Sequence, residues 1–418
     1  MVCILNRYGK PLMPTENHRS VRLLLKEGKA TVVGRNPFTI QLNIGTHEYR
    51  QPISLGVDPG YKQMGLSATT ETKELYMSET ELRTDVVKNL SDRSKLRRGR
   101  RQRKTRYRKP RFKNRKRKSG WQPPSVEQKI NTQLQEIFKV ASILPIADVT
   151  IECAAFDPHK LKDPYVEGVG YQQGDMYGYQ NRIAYLSVRE ANTCQYCGKE
   201  GTEKGNGWRL HHIWGKEYDK PEDWALLHAK CHRGPEGIHA KHEEKVLQEK
   251  KPKSYKAATF MNIMRWGLYD KLKENFPSVS FTYGYITSVT RKINDLEKTH
   301  GVDARCISGN PTAEPAAHWY QQTAKRRHNR QTHKTNPSKG GKRKLNQSAK
   351  YVKGYQLFDK VNYNGQECFI FGRRTSGSFD VRKLDGTKIS ASISCKKLKL
   401  LEKRKTILTE RRAVSSQG

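Results

Sequence analysis

The fold is decided at residues 53–60, which read Ile-Ser-Leu-Gly-Val-Asp-Pro-Gly. The apolar run predicts a buried strand that ends at Asp58, before a turn favoured by Pro59 and Gly60. The next apolar segment, Met64-Gly65-Leu66-Ser67-Ala68, predicts the hairpin partner of that strand. A carboxylate at the end of a buried strand can project into a cleft, so Asp58 is the first candidate functional residue.

Three further polar residues stand in comparable contexts. Glu152 ends the segment Asp148-Val149-Thr150-Ile151-Glu152, which predicts a second strand. His300 and Asp303 lie three residues apart at the predicted start of a helix, and so on one of its faces. Hydrolysis of a phosphodiester by two metal ions requires several carboxylates that converge on cations about 4 Å apart. Each acid alone would more often be a cap or a turn residue, so the indication of a metal site comes from the ordered set.

The composition points to nucleic acid as the partner. The chain has 418 residues, with 80 Lys and Arg against 41 Asp and Glu, and a formal net charge of +39. Such a charge is typical of proteins that neutralise many phosphates. The length predicts roughly two to four modules. There is no apolar run long enough to span a membrane, and residues 1–6 do not resemble a secretory signal, so we expect a cytosolic protein with no membrane partner.

Two short motifs in the middle of the chain combine Cys and His. Cys194-Gln195-Tyr196-Cys197 has the spacing CxxC, and His228-Ala229-Lys230-Cys231 has the spacing HxxC. Two such pairs supply four ligands for tetrahedral zinc. Eight cysteines in so long a chain do not indicate a disulfide framework. We expect one structural zinc ion at Cys194, Cys197, His228 and Cys231; the alternative is two buried thiols with unrelated histidines.

A pair of histidines lies between these motifs. Arg209-Leu210-His211-His212-Ile213 predicts a strand, and Asp223-Trp224-Ala225-Leu226-Leu227 follows it. A neutral His can take a proton from a water molecule that attacks phosphorus, while a neighbouring ligand holds a divalent cation. A lone His pair would more often be structural, so its position between the two Cys and His motifs is what makes it a candidate.

Residues 93–118 contain 17 Lys or Arg and no acid. A disordered basic tail is one interpretation of such a run. The run follows a helix-compatible segment and contains no proline before Pro110, so a helix laid along a polyanion is the other. We expect the nucleic-acid contacts of this segment to be Arg97, Arg98, Arg100, Arg101 and Arg103.

The remaining segments predict further modules. Residues 1–50 alternate apolar runs with turns and predict a small α/β module, whereas residues 355–393 predict the strands of a small β-barrel. In that barrel Arg373, Arg374, Arg382 and Lys383 could reach guanine edges in the major groove. Other predicted elements are helices at 20–28, 125–144, 255–274 and 287–297 and a strand at 279–285.

The ordered segments LGVDPG, VTIE and HGVDA resemble the three segments of a RuvC-type nuclease, which has an RNase H fold. The resemblance implies that Asp58, Glu152 and Asp303 hold two magnesium ions. It also implies that His300 acts in proton transfer or in orienting the attacking water.

The Cys and His motifs around RLHHI resemble an inserted HNH nuclease domain of ββα type with a zinc knuckle. This resemblance implies that His212 is the general base and that His211 and Asp223 hold one magnesium ion. Asp223 stands where the family usually has Asn. Glu236 stands where it has a closing His, and His239 or His242 could replace that ligand.

The order of all motifs resembles the IscB family of transposon-encoded, RNA-guided DNA endonucleases. Pro11-Leu12-Met13-Pro14 resembles the motif of their first module, and residues 93–118 resemble their bridge helix. The resemblance implies an α/β multidomain protein with a RuvC domain split in three, bound as a monomer to a structured omega RNA in the prokaryotic cytoplasm and nucleoid. The HNH domain would cut the guide-paired strand of double-stranded DNA, and RuvC the displaced strand.

These resemblances divide the chain into eight segments. In chain order they are the N-terminal module 1–51, RuvC segment I 52–84, the bridge helix 85–120, RuvC segment II 121–189, the HNH domain 190–248, RuvC segment III 249–324, a basic linker 325–353 and the C-terminal β-barrel 354–418. Two other functions remain open from the residues alone. One is an unguided metal-dependent endonuclease, and the other is a non-enzymatic, zinc-containing RNA-binding protein.

Overall fold

The computed structural model describes residues 1–102, 121–153, 175–216, 219–248, 256–325 and 349–413. They belong to two compact units, one formed by Met1–Ala155 with Phe260–Gly418 and the other by Phe156–Thr259. Both units combine helices with sheets, so the prediction of a multidomain α/β protein is confirmed. Among the described residues, no helix is long and apolar enough to cross a membrane.

The N-terminal module is a four-stranded sheet with one helix, as the sequence predicts. Its strands lie in the order β2-β1-β4-β3. Asn17 caps the helix by accepting a hydrogen bond from the backbone N–H of Ser20 (3.0 Å), and Gly28 follows the helix with a positive φ of 67°. The elements are β1 (Val2–Leu5), β2 (Pro11–Thr15), α1 (His18–Lys26), β3 (Ala30–Arg35) and β4 (Phe38–Leu42).

A three-stranded meander, two helices and a fourth strand follow. The predicted hairpin is confirmed, since β5 and β6 pair antiparallel with Asp58 opposite Gly65. The basic run is helical as far as residue 102, and residues 103–120 lie outside the described residues. The elements are β5 (Ser54–Pro59), β6 (Gln63–Thr69), β7 (Glu74–Glu81), α2 (Val86–Gln102), α3 (Pro124–Ala141) and β8 (Asp148–Cys153).

The second unit is built around a β-hairpin and a short helix. Strands β9 and β10 pair antiparallel, with His212 opposite Trp224. Helix α4 packs through Leu186 onto Trp224 and Leu226 of β10, so it belongs to this unit. The predicted boundary between RuvC segment II and the HNH domain lies after this helix, at residue 190. The elements are α4 (Arg182–Arg189), β9 (Trp208–His212), β10 (Trp224–His228) and α5 (Ala229–Arg233).

The large sheet of the first unit has seven strands in the order β11-β8-β5-β6-β7-β12-β18. Strands β5, β6 and β7 are antiparallel, whereas β8 runs parallel to β5 and β11 parallel to β8. One face carries the main core, to which α3 and α6 contribute residues such as Ile130 and Leu268. The added elements are α6 (Lys256–Lys273), β11 (Val279–Tyr283), α7 (Gly284–Ile293), α8 (His300–Ile307), β12 (His318–Ala324) and β18 (Ile407–Ala413).

The C-terminal strands form a five-stranded antiparallel sheet in the order β16-β15-β14-β13-β17. Val361, Ile370 and Phe379 are in its core. Within the part of the chain that is described, the two outer strands, β16 and β17, do not pair with each other. The segment that was predicted to form a β-barrel is therefore an open sheet in this part of the structure. The elements are β13 (Lys360–Tyr363), β14 (Gln366–Arg373), β15 (Ser378–Arg382), β16 (Lys388–Ser394) and β17 (Lys399–Glu402).

Two glycines let helix α8 pack directly on the backbone of β5 and β6. A Cβ atom at Gly56 would overlap the carbonyl oxygen of Ala304, and one at Gly65 would overlap the carbonyl oxygen of His300. Only glycine permits so close an approach of one backbone to another. The first turn of α8 therefore lies against the carboxyl end of β5, where Asp58 is found.

We expect Gly65→Ala to destabilise the first unit, because the added methyl group meets backbone and not a movable side chain. The expected loss of unfolding free energy is about 1–3 kcal/mol, as for other overpacked sites. Gly45→Ala is the matched control, since a Cβ atom at Gly45 would have no neighbour within 4 Å. Chemical unfolding of the full chain measures both. Equal stability of the two variants would contradict the close packing of α8.

Candidate metal centres

The first centre lies where α8 meets the ends of β5 and β8. It contains the side chains of Asp58, Glu152, His300 and Asp303, all four predicted from the sequence. The Nδ1 atom of His300 lies 2.5 Å from Oδ2 of Asp58. Asp58 and Glu152 are buried, with 6% and 9% of their surface exposed. Thr299 caps α8 and accepts a hydrogen bond from the backbone N–H of Val302, which fixes the turn that carries the histidine and the aspartate.

The three carboxylates repel one another in this partly buried setting. Burial raises the pKa of Glu152, and the neighbouring charge of Asp58 raises it further. The pKa of Asp303 is raised by the same two causes in the same order. The hydrogen bond to Asp58 raises the pKa of His300. A cation among these groups would relieve the repulsion, so the arrangement suits divalent metal.

Two arginines already neutralise part of this charge. Nη2 of Arg265, on α6, lies 2.8 Å from Oε1 of Glu152, and Nε of Arg291, on α7, lies 2.9 Å from Oδ1 of Asp303. Within the described residues, the three carboxylates are not among the groups whose ligand atoms all lie within 4.8 Å of one another. The arginines were not predicted, because nothing in their local sequence marks them as partners of distant acids.

Glu79 is a third residue that the sequence did not reveal. It lies on β7, and its Oε1 accepts a hydrogen bond from the backbone N–H of Gly301 (2.9 Å). Its carboxylate also contributes to the raised pKa of His300. Its contact with α8 joins residues far apart in the chain, so nothing in the local sequence of β7 marks it as part of the centre.

The predicted zinc ligands come together in the second unit. The ligand atoms of Cys194, Cys197, His228 and Cys231 all lie within 4.8 Å of one another. Nδ1 of His228 lies 3.4 Å from Sγ of Cys197, and its Nε2 lies 2.6 Å from the carbonyl oxygen of Gly201. A bond from Nε2–H to that carbonyl leaves the lone pair of Nδ1 for a metal ion. This Cys and His cluster could therefore bind zinc, as predicted.

The electrostatics of this cluster also suit a metal ion. Burial raises the pKa of Cys194, but backbone N–H donors of Cys197, His228 and Tyr196 outweigh burial, and the net pKa is lowered. Burial and the neighbouring thiols raise the pKa of Cys231. All three thiols would be ionised together only if a cation balanced their charge.

A group of three histidines forms a further candidate centre in the same unit. The ligand nitrogens of His211, His232 and His239 lie within 4.8 Å of one another. Nε2 of His232 lies 3.3 Å from Nε2 of His239. Burial and His239 lower the pKa of His232 to about 4, so its imidazole is neutral and able to bind metal near pH 7.

This group only partly overlaps with the predicted ligands. His211 and His239 were candidates, whereas His232 was not, although its position directly after Cys231 was a signal. Neither His242 nor Asp223 belongs to the group. Asp223 is buried, and its Oδ2 has no hydrogen-bond partner among the described residues. Its role as a metal ligand stays a prediction.

His212, the predicted general base, is held by a carboxylate. Its Nε2 lies 3.2 Å from Oδ1 of Asp219. Asp219 also accepts hydrogen bonds from Nη1 of Arg182 (2.8 Å) and Nε1 of Trp224 (3.0 Å). Because His211 and His212 are consecutive on a strand, their side chains point to opposite faces of the hairpin. The base and the three-histidine group are therefore separate parts of this unit.

The predicted nucleic-acid contacts fall into two sets. Arg97 and Arg98 lie exposed on α2, where the backbone of Arg100 and Arg101 is also helical, whereas Arg103 lies outside the described residues. In the C-terminal sheet, Arg373 donates to the carbonyl oxygen of Lys350, Arg374 to that of Ala391 (3.1 Å), and Arg382 to Asp380 (2.7 Å). Lys383 is exposed. Arg373, Arg374 and Arg382 thus each donate to an internal partner, and their role in binding DNA stays a prediction.

Comparison with known proteins gives a partial match. A family model described as RRXRR protein matches residues 2–174, which include the segment Arg97-Arg98-Gly99-Arg100-Arg101. No curated protein is significantly similar to the chain.

Similar solved structures include two of Streptococcus thermophilus Cas9. The crystal structure in complex with the AGAA PAM has a TM-score of 0.31 and 14% identity, and the match covers 45% of this chain and 26% of that one. The structure with the GGAA PAM has a TM-score of 0.29 and 17% identity, with the same two coverages. The matched region thus spans about a quarter of the length of those Cas9 chains.

We expect Cys197→Ser to remove about one zinc ion per chain, because a tetrahedral site loses one of its four ligands. Zinc binding at such a site contributes folding free energy, so the second unit should unfold at a lower temperature. Cys395→Ser is the matched control, because Cys395 belongs to no metal-ligand group of the described residues. Elemental analysis and calorimetry measure both effects. An unchanged zinc content in Cys197→Ser would refute the assignment.

Proposed function

We propose that the chain is an RNA-guided DNA endonuclease of the IscB type, with a RuvC-like site in the first unit and an HNH-like site in the second. The observation that carries the proposal is the position of α8, which places His300 and Asp303 beside Asp58 and Glu152. Acids from three separate segments of the chain thus meet at one end of a sheet.

The topology of the large sheet supports the RuvC assignment. Three antiparallel strands, β5 to β7, are followed by β8 and β11, which are added in parallel on the other side of β5. This is the arrangement expected of the RNase H fold that the sequence resembles. Asp58 and Glu152 lie near the carboxyl ends of the adjacent parallel strands β5 and β8, where open α/β sheets bind their ligands.

In the first unit the residues present fit magnesium, since carboxylate oxygens are its preferred ligands, and burial together with the charge of Asp58 raises the pKa of Glu152 and Asp303. Asp58, Glu152 and Asp303 would hold the metal. Magnesium bound there would polarise the scissile phosphate and make the attacking water more acidic. His300 donates its Nδ1–H to Asp58, so its Nε2 can accept a proton from that water.

In the second unit the donor set fits magnesium less well. Imidazole nitrogens favour ions such as Zn²⁺ or Ni²⁺, whereas magnesium favours oxygen ligands. The three-histidine group of His211, His232 and His239 therefore differs from the predicted magnesium site at His211 and Asp223. His212 donates its Nε2–H to Asp219, so Nδ1 is the atom that would take a proton from the attacking water.

Charge supports the nucleic-acid partners. A net charge of +39 is ample for a long structured RNA and a DNA duplex, and Arg97 and Arg98 are exposed on α2 for contacts with phosphates. In such a ribonucleoprotein, guide pairing selects the target, while the protein binds backbones and a short adjacent motif. The HNH-like site would cut the guide-paired strand and the RuvC-like site the displaced strand.

We expect the two sites to be separable, because their residues lie in different units. Asp58→Ala should cut only the guide-paired strand, and His212→Ala only the displaced strand. In each variant, the strand that is cut by the altered site should be cut at least about 100-fold more slowly, which is the usual contribution of one general base or acid. Cleavage of a duplex that is labelled on each strand in turn, by protein loaded with its RNA, measures both rates.

Asp295→Ala serves as the control for both variants, since it removes an acid of the first unit that lies outside the centre. It should retain both cuts. If either Asp58→Ala or His212→Ala abolished both cuts while RNA and DNA binding stayed intact, the assignment of two independent sites would be wrong.

A further inference from the structure

A row of aromatic side chains follows the edge of the large sheet. The rings of Trp266 and Tyr269, on α6, lie 5.4 and 5.5 Å from that of Phe281, measured between centroids. Phe281 lies 5.6 Å from Tyr283, and Tyr283 lies 6.0 Å from Tyr285 with the two ring planes only 12° apart. Among the described residues, β11 is the outermost strand of the sheet on this side, so the row follows that edge.

The row passes from the protein core into solvent. Trp266 and Tyr269 pack against the main hydrophobic core. By contrast, 40% of Phe281 and 69% of Tyr285 is exposed. Single exposed aromatic residues are common on protein surfaces, but a continuous row is typical of a surface that binds another molecule. The inner rings support the outer ones, so the faces of the exposed rings are held in place.

The exposed end of the row adjoins the first metal centre. Gly284 separates Tyr283 from Tyr285, and a Cβ atom at Gly284 would lie 3.2 Å from Oε1 of Glu152. In the ladder, Thr282 lies directly opposite Glu152, so Phe281 and Tyr283 point to the other face of the sheet. The row reaches the centre only at the carboxyl end of β11, through Gly284 and Tyr285. A ligand stacked on Tyr285 would therefore be only one residue of backbone away from a carboxylate of the centre.

Cations accompany the aromatic rings. Nζ of Lys273 lies 5.1 Å from the ring centroid of Tyr269. Arg265 adjoins Trp266 in sequence and reaches Glu152, while Lys292 is exposed on α7. Aromatic rings combined with cations are the surface that binds unpaired nucleic acid, since bases stack on the rings and phosphates meet the cations. The faces of bases within a duplex are already stacked and are not available to the rings.

We propose that Phe281, Tyr283 and Tyr285 form a stacking platform for unpaired bases of single-stranded DNA, which delivers that strand to the centre of Asp58, Glu152 and Asp303. The inference rests on the proposed function and adds to it the way in which the displaced strand is recognised. The three rings act by positioning the strand, and they take no part in the chemistry.

The test uses the full chain with its RNA and a single-stranded DNA oligonucleotide that carries 2-aminopurine, whose fluorescence falls when it stacks on an aromatic ring. Calcium replaces magnesium, so that binding is read without cleavage. The wild-type protein should quench the probe, and Tyr285→Ala should abolish the quenching and weaken binding roughly 5- to 150-fold, the loss of one stacked base. Tyr285→Phe should retain both, because it keeps the ring.

Two controls isolate stacking from other effects. Tyr8→Ala removes a tyrosine of the N-terminal module that is equally exposed, at 70%, and should leave quenching and affinity unchanged. An abasic nucleotide in place of the stacked base should weaken binding by the wild-type protein. The wild-type protein and Tyr285→Ala should then bind this oligonucleotide with equal affinity, because the base and the ring act together.

The possible outcomes separate this proposal from the proposed function. The single-strand platform is overturned if quenching survives in Tyr285→Ala. It is also overturned if the variant weakens binding to duplex DNA, or to RNA of the same sequence, by the same factor. Both results would do so even if the protein cuts DNA normally. Quenching that depends on Tyr285 in a protein that cuts no DNA supports the platform and rejects the nuclease function.

Discussion

The backbone contact between helix α8 and strands β5 and β6 is the constraint on which the first metal centre depends. Gly56 and Gly65 carry no side chains, and this lets the helix approach the sheet until their backbones touch. That approach brings His300 within hydrogen-bonding distance of Asp58. Interiors of proteins are close-packed, so one methyl group between helix and sheet would displace the histidine and Asp303 together. The same short sequence, LGVDPG, thus supplies both the acid and the space beside it.

Charge explains why this centre differs from the one in the second unit. Burial and the neighbouring charge of Asp58 raise the pKa of Glu152 and of Asp303, and Arg265 and Arg291 offset part of this effect. A hard divalent cation would relieve the same repulsion. The three-histidine group contains no carboxylate, and burial lowers the pKa of its His232 to about 4, which favours the neutral imidazole. The two units therefore offer different ligand chemistry, oxygen in one and nitrogen in the other.

Much of the fold and of the candidate sites could be predicted from the sequence, because the sequence patterns that indicate them are local. The hairpin of β5 and β6, the start of α8 at His300 and the spacing of the Cys and His motifs each depend on a few neighbouring residues. The contacts of Arg265 and Arg291 could not be predicted, since they join residues far apart in the chain. The packing of helix α4 on Trp224 could not be predicted for a similar reason, because it also joins residues that are distant in the chain.

The measurement that tests the account most directly combines RNA analysis with cleavage. The protein is expressed from its native locus, its co-purified RNA is sequenced, and a duplex that matches the variable part of that RNA is supplied with magnesium. The account predicts that both strands are cut, and that RNase treatment or a mismatched duplex abolishes cutting. Cleavage that persists without RNA, or a protein with bound RNA that cuts no matched duplex, would contradict it.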